Sequence, residues 1–448
     1  MKNYRKSVFG MLRRKIESAI RQHFESKTDR ILIVEGARQV GKSFIIRHVC
    51  QDIFPHFVEI NLADDYDGEK IFASVHTTEQ FYMQVGILLR GVAGNREDTM
   101  VFLDEIQVYP HLLTMLKFLR QEARYSYIAS GSLLGVALHK STSIPIGSIV
   151  RKQMFPLDFE EFLWANNFPS EAIAAVKTCM EQRTRVDTPL HTVMLNMFRK
   201  YLLVGGLPDA VNIYVESQNI FAMRELQGEI HNLYGIDASK YDAENRLRIR
   251  RIYDLIPSTL ESKKKRLVVK EIENKSQARY AQYQDDFEYL ISSGIALEVR
   301  AISNPKFPLM ESSAKNLLKL YLNDVGLLSY LLFSTNINAV LQTHESINMG
   351  AVYECVVAQE LKAHGHKLFY YDNKKHGEVD FLIDDFATLS VLPIEVKSGK
   401  DYTVHSSLNH FINTPDYNIT QGVVLCNNGE IKEINHVVYL PVYCVMFL

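Results

Sequence analysis

The residues Gly36-Ala37-Arg38-Gln39-Val40-Gly41-Lys42-Ser43 have the types and spacing of a phosphate-binding loop. The glycines let the backbone curl so that successive N–H groups face phosphate oxygens, and a helix following the loop adds the partial positive charge of its N-terminus. In such a loop Lys42 reaches the β- and γ-phosphates, the Ser43 hydroxyl ligates Mg²⁺, and all eight residues contact the nucleotide. The run Val101-Phe102-Leu103-Asp104-Glu105 supplies the acidic partners. Its apolar residues suit a buried strand that delivers Asp104 to Mg²⁺ and leaves Glu105 placed to polarise an attacking water. Ser130 and Ser132 flank Gly131 at the end of a further strand-like run, where either can bring a hydroxyl near the γ-phosphate. The cofactors these residues call for are ATP and Mg²⁺.

A second constellation lies near the C-terminus. Glu395 and Lys397 stand two apart on a strand-like run and so project from one face. Asp380, on a neighbouring run, can meet them, and Glu354 on the helix-like segment 348–364 can approach from above. A helix, three strands and a D…ExK pattern resemble the restriction-endonuclease-like nucleases. That resemblance implies Mg²⁺ held by Asp380, Glu395 and Glu354, with Lys397 stabilising charge or orienting water during phosphodiester hydrolysis. The structural alternative is a retired nuclease fold that keeps these residues as a charge network.

Between 240 and 279 there are twelve basic residues against six acidic ones. The order helix 246–257, helix 267–273, helix 277–292, strand 295–300 resembles a winged helix, with Gln277–Tyr289 as its recognition helix. Arg246, Arg250, Lys263, Lys264, Lys265, Arg266 and Arg279 are then the expected contacts to double-stranded or branched DNA. A basic protein–protein surface is the alternative.

The elements that must position these residues follow from hydrophobic patterning. A basic amphipathic helix is expected within 1–28, with Phe9, Leu12, Ile16 and Ile20 on one face. Ile31–Val34, Val58–Leu62, Met100–Leu103 and Tyr127–Ser130 are continuous apolar runs of the kind buried on both faces of a parallel sheet. Helical patterns at 80–91 and 110–123 fill the gaps between them, which predicts an α/β, doubly wound domain. The expected organisation is an ATPase domain at 1–155 and a helical lid or connector at 156–235. A winged-helix-like domain at 236–303 and a C-terminal nuclease-like α/β domain at 304–448 complete it.

Length and composition bound the remaining possibilities. At roughly 150 residues per domain, 448 residues suggest about three domains. An apolar fraction of 47% supports sizeable cores and excludes a disordered chain. Fifty basic and fifty-two acidic residues nearly cancel, so any nucleic-acid contact must come from a local patch. The five cysteines are scattered with no CxxC pair, which points to a reducing compartment. With no apolar run near ~18 residues and no secretion signal, a cytoplasmic protein without a membrane span is expected.

Several motifs together resemble the AAA-type P-loop ATPases of bacteria and archaea that carry a C-terminal domain of uncharacterised function. They are GARQVGKS, VFLDEIQ, IASGSLL, FPLDFEEFL, YLLVGGLPDAV, YLNDVGLL, GAVYECVVAQEL, EVDFLI and PIEVKSGK, in that order along most of the chain. The resemblance implies Walker A, Walker B and sensor-1 roles for Lys42/Ser43, Asp104/Glu105 and Ser130. It also implies a homo-oligomer, ring assemblies being common among such ATPases, and DNA-directed work in repair, recombination or defence. A nucleotide-dependent switch for a protein partner is the alternative. Relatives often show Gly-Arg shortly before the FPL run, where this chain has Gly147-Ser148 and then Arg151. Arg151 and Arg124 are the candidate arginine fingers.

Overall fold

The computed structural model describes residues 11–90, 94–132, 147–240, 246–262, 265–341, 347–373, 375, 377–399 and 401–448. The chain forms two compact units, one of Arg13–Phe155 with Ser292–Gly294, the other holding Pro156–Ile291 and Ile295–Leu448.

The N-terminal unit is built on a five-stranded sheet of order β2-β3-β4-β1-β5. Its strands are β1 (Ile31–Glu35), β2 (His56–Asn61), β3 (Thr99–Asp104), β4 (Ser126–Gly131) and β5 (Ile149–Gln153). Every neighbouring pair is parallel. The first four are the apolar runs read from the sequence, and β3 is buried along its whole length. Ile33, Val101, Leu103 and Ala129 pack with Leu112, Leu113 and Leu116 of the helix Pro110–Glu122 in one core. A parallel sheet places all strand C-termini on one edge, which brings the loop after β1, Asp104 and Ser130 together.

β5 was not expected. Arg151, Lys152 and Gln153 are exposed, so this edge strand lacks the apolar signature of its neighbours. The N-terminal helix spans Lys15–Glu25, shorter than the expected 1–28, and buries Ile20; Phe9 lies outside the described residues.

The C-terminal unit combines helices with an eight-stranded mixed sheet of order β12-β13-β11-β10-β9-β8-β6-β7. The strands are β6 (Ala296–Ile302), β7 (Ser313–Leu322), β8 (Phe369–Asn373), β9 (Gly377–Asp385), β10 (Ser390–Val396), β11 (Gly422–Cys426), β12 (Lys432–Ile434) and β13 (Val437–Pro441). The helix Gly350–Ala363 leads into β8, β9 and β10, an antiparallel meander, and the helix Ser406–Ile412 connects to β11, which runs parallel to β10.

Two sequence expectations differ from this arrangement. The boundary set at 303/304 falls inside the antiparallel β6–β7 pair, and β6 also pairs in parallel with β8, so one sheet runs across it. The strand seen at 295–300 is therefore a strand of the large sheet. The recognition helix expected over Gln277–Tyr289 is a short 3₁₀ turn, Tyr280–Gln282, followed by the helix Gln284–Ser292. That helix buries Asp286, Phe287, Tyr289 and Leu290, because its apolar positions serve the core of this unit. Among the described residues no helix is long and apolar enough to cross a membrane.

Candidate functional site

The loop after β1 has the backbone its glycines foretell. Gly41 adopts φ 93° as it enters the helix Lys42–Ile53, a left-handed conformation that favours glycine. At Gly36 a Cβ would lie 2.1 Å from the Met154 carbonyl oxygen, so only glycine fits. Arg14, a residue the sequence did not single out, braces the loop from outside. Its guanidinium donates to the carbonyl oxygens of Val40 at 3.0 Å and Phe155 at 2.7 Å. These contacts span 26 and 141 residues of chain, beyond the reach of any local pattern.

Lys42 is buried, and its ammonium donates to the carbonyl oxygens of Gly36 at 3.0 Å and Ala37 at 2.8 Å. Burial pushes its pKa below the ordinary lysine value, while Glu105 and Asp104 pull it upward. The Ser43 hydroxyl donates to Asp104 Oδ2 at 2.7 Å, and the Ser130 hydroxyl donates to Asp104 Oδ1. Burial raises the Asp104 carboxyl above its usual range, and the two serine hydroxyls oppose that shift. A cation beside this carboxylate would offset the cost of burying its charge.

Glu105 follows β3 with φ 55°. Its Oε2 accepts from the Ser132 hydroxyl at 3.2 Å and from Gln107 Nε2. The structure thus brings Lys42, Ser43, Asp104, Glu105 and Ser130 to one edge of the sheet, sets Ser132 against Glu105, and adds Gln107. The VFLDEIQ motif contained Gln107, but nothing in its spacing said that the side chain returns to Glu105.

Both finger candidates make contacts within their own unit. Arg151 forms an ion pair with Glu35 at 2.6 Å. The Arg124 guanidinium lies over the Tyr82 ring at 4.8 Å and the Tyr125 ring at 5.4 Å.

In the C-terminal unit, Asp380 lies on β9, Glu395 on β10 and Glu354 on the helix Gly350–Ala363, with Lys397 just after β10. Lys397 Nζ donates to Glu395 Oε1 at 2.8 Å, and Asp380 Oδ2 accepts the Val396 N–H at 2.8 Å. Burial, then Glu395 and Glu354, push the Asp380 carboxyl well above the carboxylate range. The structure adds Lys319 and Tyr321 of β7 and Glu378 of β9 to this cluster, and it adds Lys265 as an ion-pair partner of Glu354. Lys265, one of the expected DNA contacts, is thus turned to a carboxylate of its own unit.

Other members of the basic segment are also paired internally. Arg248 bonds Asp286 at 2.5 Å, Arg250 lies 3.6 Å from Asp254, and Arg266 lies 3.6 Å from Asp372. Arg251, Lys270 and Arg279 are exposed. Lys263 and Lys264 lie outside the described residues, as does the side chain of Arg246.

Comparison with known proteins bears on the same regions. A family described as an AAA domain (AAA_14) matches residues 28–163, and two domains of unknown function, DUF8612 and DUF4143, match 195–338 and 349–445. No curated protein matches the chain. Among solved structures, the Walker-type ATPase paby2304 of Pyrococcus abyssi is similar over 72% of this chain and 96% of its own, at 14% identity and TM-score 0.45. The ORC1 protein of Aeropyrum pernix, solved in complex with DNA, is similar over 70% and 92%, at 13% identity and TM-score 0.30. The ADP form of ORC2 from the same organism is similar over 77% and 98%, at 11% identity and TM-score 0.33. With its parallel five-stranded sheet, the chain carries an AAA-type P-loop ATPase domain followed by two domains of unknown function.

Proposed function

We propose that this protein is a Mg²⁺-dependent ATP hydrolase that couples its nucleotide cycle to DNA. The observation that carries the hydrolase reading is the Ser43–Asp104 hydrogen bond at 2.7 Å, with Lys42 and Glu105 on the same strand edge. In this reading the N–H groups of Gly36–Ser43 and the Lys42 ammonium bind the phosphates, and Ser43 and Asp104 hold Mg²⁺. The ion, when bound, withdraws charge from the phosphates. Lys42 exchanges the carbonyls of Gly36 and Ala37 for phosphate oxygens. Glu105 accepts a proton from the attacking water while Ser130 keeps Asp104 in place.

The DNA part rests on the exposed cations Arg251, Lys270 and Arg279. The ion pairs of Arg248, Lys265 and Arg266 with acids of the same unit favour a second reading, a nucleotide-dependent switch whose ligand is a protein. ATP turnover measured with and without duplex or branched DNA, at several salt concentrations, separates them. Stimulation that falls with salt and is lost on reversing Arg251, Lys270 and Arg279 to Glu supports the DNA reading. Turnover indifferent to DNA refutes it, and absence of any ATP turnover refutes the hydrolase.

A further inference from the structure

The nuclease resemblance implies a divalent metal among the carboxylates of the C-terminal cluster, yet most of the donor atoms there are already taken, Glu395 Oε2 being a buried oxygen without a hydrogen-bond partner. Glu354 has both oxygens engaged, Oε1 by the Lys265 ammonium and Oε2 by the Tyr321 hydroxyl at 2.9 Å. Glu378 Oε1 accepts from the Lys319 ammonium, and Glu395 Oε1 accepts from Lys397 at 2.8 Å. Among the described residues no three His, Cys, Asp or Glu side chains are placed to hold a metal ion.

Lys319 decides the matter. Its side chain is 0% exposed, and its Nζ lies 4.5 Å from the centre of the Tyr370 ring. A buried ammonium is tolerated only when paired, and this one faces Glu354, Glu378 and Asp380. A divalent ion entering the cluster would take those carboxylates and leave Lys319 buried without a counter-ion.

The origin of the cations gives the cluster a role. Lys265, Lys319 and Tyr321 belong to the segment 195–338, whereas Glu354, Glu378, Asp380, Glu395 and Lys397 belong to 349–445. We propose that the first of these domains supplies Lys265 and Lys319 as built-in cations that occupy the carboxylate cluster of the second in place of a divalent metal. The cluster is then an ammonium–carboxylate lock joining the two domains, and no phosphodiester bond is cleaved there.

The test titrates Mn²⁺ into the nucleotide-free full chain carrying Ser43→Ala, which removes the hydroxyl offered to metal by the phosphate loop. Uptake is followed by electron paramagnetic resonance and stability by thermal melting. The expected result is no Mn²⁺ uptake below millimolar concentration and an unchanged Tm. Lys319→Met added to this chain should lower Tm and create Mn²⁺ uptake that restores part of the loss, and Asp380→Asn should then abolish that uptake. Should Lys319→Met fail to fold, Lys265→Met, at the partly exposed rim, is expected to gain Mn²⁺ uptake in the same way. Uptake with a Tm rise while both lysines are intact, removed by Asp380→Asn, overturns the proposal. So does a Lys319→Met chain that melts like its parent and takes up no Mn²⁺.

Discussion

The Ser132 hydroxyl donates to Glu105 Oε2 at 3.2 Å, and the same oxygen accepts from Gln107. The carboxylate is therefore aimed before any water is bound, which leaves Oε1 to meet the nucleophile. Removing one such bond to a charged group costs about 1.5 kcal/mol, or roughly tenfold in rate if the bond persists in the transition state. Ser132→Ala and Gln107→Ala should each lower kcat about tenfold with little change in nucleotide affinity, whereas Glu105→Gln should stop turnover and retain binding. Steady-state phosphate release alongside fluorescent-nucleotide titration measures both quantities. A Ser132→Ala protein with wild-type kcat would show that the contact does no positioning.

Lys42 has two carbonyl acceptors at 3.0 and 2.8 Å, so its ammonium is held inside the loop it is expected to serve. Lys42→Ala removes the buried cation facing the phosphates, while the backbone fixed by Gly36 and Gly41 can persist. ATP hydrolysis should disappear and nucleotide affinity should fall by at least about tenfold. Circular dichroism must show an unchanged fold for the result to count, and near-normal turnover would contradict the assigned role.

Arg151 is half-exposed and tied to Glu35 at 2.6 Å. If a neighbouring copy uses this guanidinium to complete the ATP site, hydrolysis per chain should rise with protein concentration, and Arg151→Ala should reduce it ~10³-fold or more. If Arg151 acts only as an edge-strand ion pair, the same change should alter stability by less than about 1 kcal/mol and leave turnover intact. Arg124, whose guanidinium lies over the Tyr82 and Tyr125 rings, is the comparison variant.

The parts legible in the sequence are those whose cause is local. A glycine loop between a strand and a helix carries its chemistry within eight residues, and the apolar runs of β1, β3 and β4 announce strands buried on both faces. β5 escaped because an edge strand with exposed Arg151, Lys152 and Gln153 has no apolar run to read. Lys319 escaped for the opposite reason. The Leu-rich segment 315–333 reads as one helix, yet Ser313–Leu322 is strand β7 and the helix begins only at Val325, and on β7 Lys319 is turned inward by a counter-ion on β9, 59 residues away. The strand at 295–300 was recognised as a strand, but its partners β7 and β8 are set by sheet pairing rather than by sequence neighbours, so its assignment to a wing did not follow. Gly205-Gly206-Leu207-Pro208 reads as a breaker between helical runs, but its purpose depends on a residue far along the chain. Gly205 has φ 72°, and a Cβ there would lie 2.2 Å from Asp324 Oδ1.

Asp324 gives the fold a pH dependence with a definite sign. Its Oδ2 accepts the Gly206 N–H at 2.6 Å and its Oδ1 accepts the Leu327 N–H at 3.1 Å. Burial pushes its carboxyl up to about 6 from an ordinary 3.8, against the pull of these N–H donors. The folded chain thus holds this proton more tightly than the unfolded one. The group's contribution to stability is greatest below about pH 4, declines as pH rises through the window to about 6, and is level above it. At ~1.4 kcal/mol per pH unit the change amounts to about 3 kcal/mol. Asp324→Asn removes the titration and replaces one acceptor oxygen by an N–H donor, which adds a constant destabilisation at every pH. Urea unfolding of both proteins between about pH 4 and 7 should show the parent's advantage over the variant shrinking as pH rises through that window. A difference that stays constant or grows with pH would mean that Asp324 is ionised in the fold throughout, with the Gly206 and Leu327 N–H groups outweighing its burial.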